Sequence, residues 1–215
     1  MAALAHIGFA AFLALRVAMA HGFAEDALPK FGRDTVLVWE SRHQEESSEL
    51  VVRIARFLPD RYIEWENRTT QGTVYMPAKA VREAKVFVHA SLFQGGSDTT
   101  GKNATILWLS ERLFRELKSR GKAKISLDSI PGWVTVTGAE RISVQVNRSP
   151  ADLPVVRTVD DRGCERWFLD APDNPLMVKL AVRGFVQSLV SITTDKPNTL
   201  RWIKGRKLEN PPQAR

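Results

Sequence analysis

Residues 122–146 read KAKISLDSIPGWVTVTGAERISVQV, and the two-residue rhythm of that stretch decides the fold class. Ala123, Ile125 and Leu127 alternate with Lys122, Lys124 and Ser126, and Val134 and Val136, then Ile142, Val144 and Val146, continue the pattern. Neighbouring side chains of an extended backbone point to opposite faces, so this alternation marks strands with one apolar face. Pro131-Gly132 and Gly138-Ala139 read as turns between them.

The same rhythm runs outward in both directions. Upstream, Leu50, Val52 and Ile54 share a face, Arg61–Glu66 alternates after Pro59-Asp60, and further strands are expected around Thr73–Met76 and from Lys85 to Leu92. Downstream, Asp160-Asp161-Arg162-Gly163 is a strong turn between Val155–Val159 and Glu165–Leu169; Asn174-Pro175 precedes Leu176, Val178 and Leu180, and residues 184–193 close the series. Gln94–Asn103, rich in Gly, Ser, Thr and Asn, reads as a loop. One amphipathic helix stands out: Ser110 suits its N-cap, Leu113, Phe114 and Leu117 share a face, and Gly121 can stop it in a left-handed conformation. The expected fold is mainly β, with about ten strands in one large curved antiparallel sheet, a half-barrel or open barrel with one or two short helices packed against it.

Composition fits that class. The 215 residues are 44% hydrophobic and 26% charged, which suits one globular domain and excludes wholesale disorder or a multi-span membrane protein. Met1–Ala20 is almost wholly apolar or small and ends Ala18-Met19-Ala20, the small-residue pattern that signal peptidase accepts, so export with cleavage before His21 or after Ala24 is expected. The division is a leader at 1–20, an N-terminal extension at 21–33, the β domain at 34–195 with its helical insert near 109–120, and a C-terminal tail at 196–215. Cys164 is the only cysteine, so an internal disulfide cannot form. Removing residues 1–20 takes away Arg16 alone and leaves a net charge of +6; the tail holds six Lys or Arg against Glu209, a net +5, so the body is about neutral at +1. The high pI therefore belongs to the tail, and a nucleic-acid-binding face on the fold is not expected.

No catalytic constellation emerges. Ser97-Asp98-Thr99-Thr100-Gly101 departs from the Asp-Thr-Gly of aspartic proteases by an extra threonine, and His21, His43 and His89 are too scattered for a metal site, so no metal or other cofactor is expected. Cys164 lacks a neighbouring His or helix N-terminus to activate it. Asn67, Asn103 and Asn147 head Asn-x-Ser/Thr sequons, which mark surface loops only in a glycosylating secretory pathway. The tryptophans are the richest resource: either they fill a core, or Trp65, Trp108, Trp133 and Trp167, with Phe114 from the helix, line an apolar cavity in the curved sheet.

The stretch Phe57-Leu58-Pro59-Asp60-Arg61-Tyr62-Ile63-Glu64-Trp65-Glu66, with a helix set against a strand-rich sheet, resembles the half-barrels of the periplasmic lipoprotein-localisation and lipid-carrier superfamily. The resemblance implies a soluble periplasmic carrier for a lipid or other apolar ligand. The alternatives are an envelope interaction module that binds a protein partner or an anionic surface through a sheet edge or the C-terminal tail, and a hydrolase whose residues meet only in space.

Overall fold

The computed structural model describes residues 28–89 and 99–194; the leader, most of the Gly-rich loop and the basic tail lie outside the described residues. Among the described residues, thirteen strands form one sheet with two helices against it. Strands β1 (Val36–His43), β2 (Glu46–Arg56), β3 (Arg61–Asn67) and β4 (Gln71–Met76) make an antiparallel meander. A crossover follows, with helix α1 (Ala78–Glu83), the short strands β5 (Val86–Val88), β6 (Thr99–Thr100) and β7 (Ala104–Ile106), and helix α2 (Glu111–Arg120). A second meander then runs through β8 (Lys122–Leu127), β9 (Ile130–Val146), β10 (Ser149–Asp160), β11 (Glu165–Leu169), β12 (Met177–Val182) and β13 (Phe185–Thr193).

The spatial order is β6-β4-β3-β2-β1-β13-β12-β11-β10-β9-β8-β5-β7, so the first and last strands of the domain are neighbours at the middle of the sheet. The pairing is antiparallel except where the crossover strands join and where β13 meets β9 at Ser191–Gln145 and Ile192–Val146. That contact closes a ring through β9 to β13, so the expected curved sheet is curled far enough to shut locally. A bulge supplies the bend: β13 carries Val190 as an extra residue where Val38 pairs with Ser191 and Trp39 with Leu189.

The two expected turns at Pro131-Gly132 and Gly138-Ala139 are corrected, because both lie inside the 17-residue β9. The chain reverses instead at Asp128-Ser129, whose φ values of 49° and 71° fit a two-residue hairpin turn. Pro131 falls one step into the strand, where a missing N–H interrupts only the end of a ladder, and Gly138 sits beside the bulge that makes Thr137 extra opposite Arg157 and Thr158. The expected strand from Lys85 is only Val86–Val88 within the described residues, and α1 has six residues, too few to show a helical period. The α2 ends match the sequence reading: Ser110 Oγ accepts from Leu113 N at 3.2 Å, and Gly121 takes φ 71°.

The inward faces of both meanders and of α2 make one core, in which Leu37, Trp39, Val52, Ile54, Ile63, Trp65 and Ile192 have no exposed area. Phe114 is 1% exposed in that core. Replacing Phe114 with Ala is expected to cost about 3–5 kcal/mol, from lost transfer energy and the cavity left behind. Urea unfolding measures this, and a loss below about 1 kcal/mol would show that the site collapses around the smaller side chain.

Candidate functional site

The opening Val36-Leu37-Val38-Trp39 of β1 is apolar on both faces, which a strand needs only where both sides meet something other than bulk water. Leu37 and Trp39 enter the core, while Val36, Val38, Glu40 and Arg42 face the other way. On that outer face the register sets Val51 of β2 opposite Val38 and Glu66 of β3 opposite Val51. The resulting groove has a volume of about 1110 Å³, with Thr193 of β13 and Arg148 from the β9–β10 turn on its wall.

Three valines, Val36, Val38 and Val51, supply its apolar side chains, and Glu40, Glu45, Glu46, Glu49 and Glu66 outnumber Arg42, Arg68 and Arg148 among the charged ones. Glu40 and Glu49 stand directly across the β1–β2 ladder from each other. Like charges in that position repel. Arg42 reaches Glu40 at 3.6 Å, but Glu45, Glu46 and Glu49 have no ion-pair partner among the described residues. Further along the same face the charge is neutralised: Arg53, 4% exposed, bonds Glu64 Oε2 through Nε at 2.8 Å and also pairs with Asp34. The same outer face thus holds a matched buried cation at Arg53, outside the groove lining, and three glutamates without an ion-pair partner among the described residues within it.

The five aromatic residues expected to line a cavity are placed elsewhere. Trp65, Trp108, Phe114 and Trp167 belong to the hydrophobic core, Trp133 on β9 is 43% exposed, and none of the five lines the groove. Trp108 Nε1 donates to Asn174 Oδ1 at 2.8 Å, and the guanidinium of Arg61 packs over both its ring and that of Phe57, at 4.9 and 4.8 Å, the two rings themselves meeting edge-on. Arg61 is fully buried and donates through Nη2 to the Asp173 carbonyl at 2.9 Å; burial pushes its pKa down to about 9 despite the nearby Glu111 and Asp173. Trp167 donates to Glu140 and lies between Arg157 and Lys179.

His89 is buried in a polar chain. Gln187 Nε2 donates to Ser41 Oγ at 3.0 Å, which leaves Gln187 Oε1 to accept from His89 Nε2 at 2.6 Å. That ring nitrogen therefore carries its proton toward an amide, and the arrangement ties the crossover to β13 and β1. Cys164 donates its backbone N–H to Asp160 Oδ1 and is part-exposed, next to the expected Asp160–Gly163 turn. Among the described residues, no group of three or more His, Cys, Asp or Glu could hold a metal ion, and no helix is long and apolar enough to cross a membrane. No family model, curated protein or solved structure matches the chain, so the reading of the groove rests on its own geometry.

Two outcomes test these buried polar groups. Burial lowers the His89 pKa, aided by Arg166 and opposed by the Gln187 bond and Asp128. Between the unfolded value of 6.5 and the lower folded value the unfolded chain binds more protons, so stability falls as pH drops below 6.5. His89→Gln is expected to flatten the dependence between neutrality and mild acid in urea unfolding followed against pH; an unchanged slope would show that His89 titrates alike in both states. Glu64→Ala, which leaves Arg53 buried with Asp34 alone, is expected to cost about 3 kcal/mol in the same unfolding measurement, near the low end for a broken buried pair.

Proposed function

We propose that this chain is an exported binding module that holds a cationic polypeptide segment in the groove over β1, β2 and β3. The carrying observation is the acidic end of the groove, where Glu45, Glu46 and Glu49 have no ion-pair partner among the described residues and Glu49 stands directly across the ladder from Glu40, an excess of negative charge that a bound cation relieves. The valines beneath narrow the class. Lys and Arg lay their aliphatic stems on apolar surface while the charged heads reach outward, so Val36, Val38 and Val51 suit the stems and the glutamates the heads.

Size points the same way. At about 1110 Å³ the groove is at the upper end of small-ligand pockets, and its open side suits a chain that runs through. From Val36 to Arg42 an extended strand covers roughly 20 Å, the length of about six residues of a bound segment. Export is supported by the apolar Met1–Ala20 run and its Ala18-Met19-Ala20 end. Carriage of a lipid, the competing proposal, asks Trp65, Trp108 and Phe114 to leave packed positions in the core, each at a cost in buried area.

Fluorescence titration of the full chain with a labelled oligo-arginine peptide tests the proposal. Saturable binding is expected, weaker at high salt because exposed charges are screened, and about tenfold weaker for the variant Glu45→Gln/Glu46→Gln/Glu49→Gln. Equal binding by variant and parent would overturn it. Saturable uptake of a fluorescent fatty acid without peptide binding would favour the lipid carrier instead.

A further inference from the structure

We infer that the segment this groove holds is the chain's own basic tail, residues 196–215, bound in cis so that an outside partner must displace it. The inference rests on the cationic-segment reading above and adds the identity of the occupant.

Three observations converge on the tail. The first is where the described chain stops. Thr193 lines the groove, and Thr194 is fastened to its wall: Asn147 Oδ1 accepts from Thr194 N at 2.7 Å, and Asn147 Nδ2 donates to Thr194 Oγ1 at 3.0 Å. The tail therefore starts from the rim, beside Arg148. The second is charge. The tail holds Lys196, Arg201, Lys204, Arg206, Lys207 and Arg215 against Glu209, while the groove has an excess of glutamates. The third is spacing and reach. In an extended backbone Trp202, Lys204 and Arg206 share one face, an aromatic followed by two cations, which matches valines followed by glutamates. From residue 195 to 202 an extended chain spans up to about 25 Å, enough to turn at the rim and run back along β1 to Glu40 and Glu49.

Self-occupancy makes the tail a competitor at very high local concentration, so it lowers the apparent affinity for any partner using the same groove. Carbodiimide cross-linking of the full chain, followed by mass spectrometry of the joined peptides, reads the docking directly. Cross-links from Lys204 or Lys207 to Glu45, Glu46 or Glu49, at monomer mass, are the expected result. Cross-links only at dimer mass would assign the groove to a second copy's tail and overturn docking in cis. So would cross-links scattered over distant carboxylates such as Glu116 and Glu165, or none at all.

A second measurement separates this inference from the reading beneath it. Oligo-arginine is titrated into the full chain and into a full-length variant with all six basic tail residues changed to Gln. The variant is expected to bind about tenfold more tightly, since it no longer competes with itself. Equal saturable affinity for both leaves the groove as a cationic site and removes the tail from it. The tail is removed likewise if it carries the full chain onto anionic vesicles while the groove stays free for peptide. No binding to either protein overturns both proposals.

Discussion

The backbone ladder between β1 and β13 is the constraint on which the rest of the structure depends. It joins eight residues from the start of the domain to nine from its end, from Val36 opposite Thr193 to His43 opposite Phe185. Without it the sheet is two unrelated meanders, each with a bare edge. With it, Leu37 meets Ile192 in the core, and the two meanders share one apolar interior. A contact across about 150 residues has a loop-closure cost that only slowly grows with length, but it must form before its reward is collected, so this pairing belongs among the slow events of folding.

The same ladder builds the groove. Its register fixes Thr193 beside Val36 on the outer face and brings the Asn147-Arg148 turn of the long β9–β10 hairpin to the wall through the two Asn147–Thr194 bonds. The Val190 bulge lies in the same strand pair, one residue before β13 meets β9 at Ser191. Core and groove are therefore two faces of one strand pair: Leu37 and Trp39 stabilise it from inside, and Val36, Val38 and Glu40 are free to meet something else.

Charge is handled in opposite ways along that face. Arg53 is buried and receives two carboxylates, Glu64 and Asp34, as removal of a cation from water requires. A few residues further on, Glu40 and Glu49 are opposed, and Arg42 reaches Glu40 while Glu49 has no ion-pair partner among the described residues. Elsewhere the fold places cations on aromatic faces, Arg61 over Phe57 and Trp108, and Lys179 over Trp167. The acidic end of the groove differs in kind, since Glu45, Glu46 and Glu49 are exposed and without an ion-pair partner among the described residues, and it is this end that carries the functional reading.

What the sequence determined by itself is what neighbouring residues decide among themselves. The period of two in residues 122–146, the Ser110 and Gly121 ends of α2, the Asp160–Gly163 turn and the concentration of charge in residues 196–215 are all local, and a local pattern fixes backbone state because side-chain direction repeats along the chain. Pro131 and Gly138 misled because a breaker acts only through its surroundings: one fell at a ladder end, the other beside a bulge. The tryptophans showed that large apolar surface had to be buried, but not where, and only packing sent Trp65 and Trp108 to the core and left Trp133 outside. The groove was legible only in part, in the four consecutive apolar residues that open β1. That Glu40 would face Glu49, and that Thr193 would stand beside Val36, depended on which strand paired with which and in what register, and this is settled by the free energy of contacts between residues far apart in the chain, which no local pattern contains.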